Sequence, residues 1–128
     1  MAGIVVGIFI LLHGGVHLLY FGQSWRLFEL QPGLLWPDGS WALSKILGEG
    51  ATRRLASMAC VAATIGFLAG GIGILLGQAW WRPVAVVSAA FSAAIFLLFW
   101  DGKMQKLDRQ GGVGLLIDVA IIIVVYLI

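Results

Sequence analysis

Two histidines, His13 and His17, stand four residues apart in the run Leu11-Leu12-His13-Gly14-Gly15-Val16-His17-Leu18-Leu19-Tyr20, and they are the only two in the chain. On a helix this spacing puts both imidazoles on one face, one turn apart. Such a pair can ligate a metal or a haem, carry a proton, or hydrogen-bond one ligand from two points. A third group belongs with them. Asp118 is the single acidic residue in the apolar stretch Gly112 to Ile128. An ionised aspartate in the middle of a membrane span costs about 2.5–3.5 kcal/mol. A carboxylate placed there therefore pairs or takes up a proton. Beside a histidine it would fix the tautomer and raise the ring's basicity.

Three readings of this constellation stay open on the residues alone. The first is a structural His–Asp hydrogen bond. The second is a site for a proton or a small lipid-soluble ligand such as a quinone. The third is a metal or haem held on His13 and His17. There is no HExxH, no Glu-x-x-His, no serine–histidine dyad and no paired glutamates, which argues against a conventional hydrolase.

The elements that must hold these residues are membrane spans. The chain has 128 residues, 61% of them hydrophobic and 11% charged, with a mean hydropathy of +1.02. Soluble domains carry about 25% charged residues. The net charge of +2 implies no nucleic-acid partner; the partner is the lipid bilayer. Four apolar runs, about 2–21, 55–77, 84–100 and 112–128, each suffice to cross a hydrocarbon core of roughly 30 Å. The first lacks a basic leader region and is expected to be a retained span rather than a cleaved signal. The expected fold is all-α: a single integral membrane domain built as a four-helix transmembrane bundle with one amphipathic, Trp-rich connecting segment.

That segment, Gln23 to Gly50, carries Trp25, Trp36 and Trp41 among Arg26, Glu29, Asp38, Lys45 and Glu49. It suits either the headgroup layer, with a short interfacial helix near Trp41–Leu47, or a loop packed on the helix ends. Small-residue pairs at Gly3/Gly7, Gly66/Gly70 and Gly73/Gly77, and the stripe Ala85/Ala89/Ala93, mark close helix contacts or a homo-oligomer face. Ser88 and Ser92 on the third span are expected only to bond the preceding turn's carbonyls. Cys60 is expected to be a small apolar filler.

Counting Lys and Arg gives Arg82 alone on the side of the termini. The other side holds Arg26, Lys45, Arg53, Arg54, Lys103, Lys106 and Arg109. The positive-inside rule then predicts a multi-pass cell-membrane protein with its termini outside and the long loop in the cytoplasm. Measured from that cytoplasmic boundary, His17, Asp118 and His13 lie at roughly 6, 9 and 12 Å depth. The three can meet if helices one and four are neighbours. Tyr20 shares the face of His17. Trp100, Asp101 and Lys103, with Arg53 and Arg54, are placed to line a mouth above it; an interface belt of aromatics and basic anchors is the plainer alternative.

The stretches His13-Gly14-Gly15-Val16-His17-Leu18-Leu19-Tyr20-Phe21 and Phe99-Trp100-Asp101-Gly102-Lys103 resemble a family of small bacterial and archaeal four-span membrane proteins. That family has a His-Gly-x-x-His-Leu-Leu-x-Phe pattern in its first span and a Phe-Trp followed by Asp and Lys after its third. The resemblance implies the four-span fold and marks those positions, and it implies no activity. Asp118 and the long Trp-rich segment are outside it.

The leading expectation is an intramembrane His/Asp site that binds a proton or a small lipid-soluble ligand. The alternatives are an accessory subunit of a larger membrane complex, a haem or metal redox protein, and a small transporter working as an oligomer.

Overall fold

Apolar residues recur around every face of the four long segments, so each folds as a helix that satisfies its own backbone and turns its side chains to lipid or to its neighbours. The computed structural model describes residues 1–104 and 107–128, without the side chains of Asp108 and Arg109. The first helix is α1, Ala2–Ser24; α2 is Ser44–Leu75; α3 is Trp81–Leu98; and α4 is Val113–Leu127, entered through a π-helical turn at Asp108–Gly112. All four apolar segments are long and apolar enough to cross a membrane. Lys106 and the side chain of Arg109, two of the basic residues counted above, lie outside what is described.

Boundaries moved in instructive places. The first helix runs three residues past Phe21, because Gln23 and Ser24 find buried partners rather than water. The second begins at Ser44, ahead of the expected Leu55, so the short interfacial helix becomes the start of α2. It is set off by a kink at Gly48, whose φ of 79° suits a residue without a Cβ. Gly77 does not continue the Gly73 stripe. It has a φ of 67° with open space around it and ends the helix instead.

Helices consecutive in sequence pack side by side: α1 on α2, α2 on α3, α3 on α4. The α1–α2 seam is close because glycines line it. A Cβ on Gly14 would stand 2.8 Å from the Cβ of Phe67, and one on Gly7 would stand 2.7 Å from Ile74. Gly66 and Gly70 face Ser88 and Ala85 across the α2–α3 seam in the same way. The first and last helices have no such close seam. A purely apolar groove of about 270 Å³, lined by Val5, Val6, Phe9, Ala120, Ile121 and Val124, separates part of their length.

The Trp-rich connection packs on the helix ends. Trp36 is fully buried, edge-on to Tyr20 at 5.0 Å and to Phe99 at 6.1 Å. Gln23 donates to the Leu34 carbonyl (2.9 Å) and accepts from the Leu30 amide (2.8 Å). Asp38 takes a two-pronged hydrogen bond from Arg53 (2.7 and 2.6 Å) and a further contact from Arg26 at 2.8 Å. Ser40 and Trp41 donate to the carbonyls of Leu98 and Leu97 at the end of α3. The connection thus closes one end of the bundle.

Candidate functional site

His13 stands eleven residues from each end of α1, so it lies about 16 Å from either end, at mid-depth. His17 is one turn nearer the loop-capped end. Both rings turn inward against Phe67 of α2, with ring centroids at 4.9 and 5.3 Å, and the two imidazoles meet edge to face at 5.1 Å. Phe96 of α3 covers His17 from the other side at 5.4 Å. The glycine seam makes this placement possible, since any side chain at Gly14 would drive α1 off Phe67. Thr64 of α2 reinforces the level by donating to the Gly14 carbonyl (3.1 Å) and to Cys60 in its own helix (2.9 Å).

Asp118 is fully buried on α4. Its Oδ1 lies 2.8 Å from His13 Nε2, so the two side chains bridge helices whose backbones are not in close contact. Its Oδ2 lies 2.7 Å from the Ser92 hydroxyl of α3. That same hydroxyl lies 2.7 Å from His17 Nε2. The remaining nitrogen of His17, Nδ1, donates to the His13 carbonyl at 3.0 Å. The result is a closed polar circuit, His13–Asp118–Ser92–His17 and back to the His13 backbone, joining three helices in an apolar interior. His13 Nδ1 is buried and has no hydrogen-bond partner among the described residues.

His17 therefore does not touch Asp118 directly. Ser92 stands between them, and it was the residue given no role in advance. Ser88 does back-bond to the Val84 carbonyl at 2.7 Å as expected, but Ser92 turns away from its own helix. The signal was present in the spacing. Ser92 lies eight residues from Trp100, the expected end of the third span, roughly 12 Å deep, which is the level expected for His13.

The expected absence of a serine–histidine dyad is also corrected, since Ser92 and His17 do pair. They are not arranged as a nucleophile and base. Ser92 is fully buried, and its oxygen is shared with a carboxylate. In this arrangement the two Nε2 atoms face separate partners and do not converge as ligands of one ion. No group of three or more His, Cys, Asp and Glu placed to hold a metal occurs among the described residues.

The expected mouth residues gather at the loop-capped end, and none of them hydrogen-bonds to the circuit among the described residues. Tyr20 packs on Trp36 and Phe96, above His17, rather than on the imidazole. Trp100 donates to the Lys103 carbonyl, and Asp101 accepts from the Lys103 amide and from Gln110. With Gly33, Leu34, Leu35, Asp38 and Gly39, Asp101 and Lys103 line a surface recess of about 300 Å³. Arg53, placed with that mouth, is bound to Asp38, which lines the same recess. Tyr20, Trp36, Phe96 and Phe99 fill the space between this surface and His17.

The circuit and its sealed surroundings are the chemically distinctive part of the molecule. In comparisons with known proteins, no family model, no curated protein and no solved structure matches this chain, so its function has to be argued from the site itself.

Proposed function

We propose that this is a small integral membrane protein whose buried His13, Asp118, Ser92 and His17 bind and release a proton in the middle of the bilayer. One observation carries the reading. A continuous chain of hydrogen-bonded side chains, two imidazoles and a carboxylate linked through one hydroxyl, joins three helices at mid-depth, and neither the recess beside Asp101 and Lys103 nor the apolar groove between α1 and α4 is lined by any of its members. A quinone or another organic ligand needs a cavity against the rings. A proton needs only the hydrogen bonds. Imidazole is the side chain whose charge changes most readily near neutral pH, and carboxylates and imidazoles inside membranes are the groups that build proton relays. The surplus of Lys and Arg at the loop-capped end supports an orientation with that end in the cytoplasm.

The test is proton release from purified protein in lipid nanodiscs, read with a pH indicator as base is added. The wild type should release one proton more than the Asp118→Asn variant over the range in which both stay folded. Superimposable release curves would reduce the circuit to a structural tie between helices and overturn the proposal.

A further inference from the structure

Counting hydrogens in the circuit leads to a sharper statement. Four contacts hold it together: His17 Nδ1 to the His13 carbonyl, His17 Nε2 to Ser92, Ser92 to Asp118 Oδ2, and Asp118 Oδ1 to His13 Nε2. Each needs one hydrogen between its two heavy atoms. Two neutral imidazoles, a hydroxyl and an ionised carboxylate supply three hydrogens for these four contacts. One contact would then bring two acceptors to about 2.7 Å with nothing between them, deep in an apolar interior.

We infer that the circuit holds one additional proton at zero net charge, shared between Asp118 and His17 through the Ser92 hydroxyl. This rests on the proton-binding reading above. Two arrangements satisfy every contact. In one, Asp118 is protonated on Oδ2 and donates to Ser92, and Ser92 donates to a neutral His17. In the other, His17 is an imidazolium that donates to Ser92, and Ser92 donates to the Asp118 carboxylate. They interconvert without any heavy atom changing partner. The bond from hydrogen to Oδ2 breaks as that hydrogen binds the Ser92 oxygen, and the hydrogen Ser92 already carried passes to His17 Nε2. Charge and atoms balance, and no other reactant is needed.

His13 has a different part. With its hydrogen on Nε2, aimed at Asp118, its Nδ1 is a bare lone pair, and that is the nitrogen found without a partner. An orphaned acceptor is tolerated more readily than an orphaned N–H. His13 thus orients the carboxylate and leaves the shared proton to the other three groups. Among the described residues, no other charged side chain makes a hydrogen bond or ion pair with the circuit. From α2 its imidazoles meet Phe67, and from α3 His17 meets Phe96. The remaining ionisable groups in the interior, Tyr20 and Cys60, make no side-chain hydrogen bond to it among the described residues. Ser92 is therefore a positioning residue that couples two titrating groups.

The experiment is nuclear magnetic resonance of the protein in lipid at neutral pH, with nitrogen-15 histidine and carbon-13 aspartate. The protonated fraction of Asp118 and the doubly protonated fraction of His17 should sum to one. His13 should be the Nε2–H tautomer. Asp118→Asn should change the His17 ring signals in the wild-type background and in Ser92→Thr, which keeps the hydroxyl, but not in Ser92→Ala. An ionised Asp118 beside a neutral His17 would overturn the inference, as would a His17 that still follows Asp118→Asn when Ser92 is alanine. If proton release is seen and these signals disagree, the proton site stands and the sharing fails. If there is no release at all, the broader reading fails first.

Discussion

Asp118 and Asp38 are each met by a nitrogen-bearing side chain of a different segment, His13 and Arg53, and they teach opposite lessons. Asp38 sits in the loop cap against two guanidiniums, partly exposed to water. Partial burial works to raise its pKa, but the hydrogen bonds and charges of Arg53 and Arg26 outweigh burial and hold the carboxyl below the ordinary aspartate range. Its partners are permanent cations, so the clamp carries fixed charge and has one protonation state near neutral pH. Asp118 has no guanidinium. Its partners are an imidazole and a hydroxyl, each able to hold its hydrogen in more than one way. In water-facing structure a protein can fix a carboxylate with arginine. In the apolar interior of the bundle, Asp118 is met by an imidazole and a hydroxyl and by no guanidinium among the described residues.

The contrast can be broken by matched substitutions. Asp118→Ala leaves His13 Nε2 and the Ser92 hydroxyl buried without their partner, and should cost about 3 kcal/mol or more of stability in thermal or denaturant unfolding in mild detergent. A loss below about 1 kcal/mol would mean that water or another group reaches the site. Gly14→Ala should come next, at about 1–3 kcal/mol, because its Cβ would overlap that of Phe67 and push α1 away from the wall that positions both imidazoles. It should also disturb the His13 and His17 signals, tying the glycine seam to the polar circuit.

Asp38→Asn should cost about 1 kcal/mol or less, and added salt should shrink the difference, as for other partly exposed ion pairs. An effect as large as that of Asp118→Ala would erase the distinction between the two regions. The smallest effect is in pH. Because the folded pKa of Asp38 is depressed, the clamp's contribution is fully present above the ordinary aspartate value near 4 and is lost as pH falls through the lower, folded value. Unfolding followed from neutral to acid pH should show this loss in the wild type and not in Asp38→Asn.

Much of the frame was legible in the residues. Length and hydropathy fix four helical segments, because in lipid only a helix satisfies an apolar backbone on its own. Depth along a helix follows from a constant rise, which is why His13 and Asp118 could be matched in advance across two helices distant in sequence. Which face a side chain takes is set by how neighbouring helices rotate, and a helix that is apolar all round carries little periodic signal for that. Ser92 was therefore read as locally satisfied although its depth was right. The loop cap was half legible. Its tryptophans announced burial or an interface, but the buried setting of Trp36 depends on Tyr20 and Phe99 meeting it from two different helices. The mouth over His17 was expected from charges in sequence proximity to the helix ends. Aromatic side chains fill that space instead.

The most direct measurement is the carbon-13 carboxyl signal of Asp118 in lipid as bulk pH is stepped, followed together with that of Asp38. A shared proton predicts that the Asp118 signal moves in one step with the His17 ring signals, at a pH separate from the acid step of Asp38. An Asp118 signal fixed at the carboxylate position throughout, with His17 neutral beside it, would contradict the account.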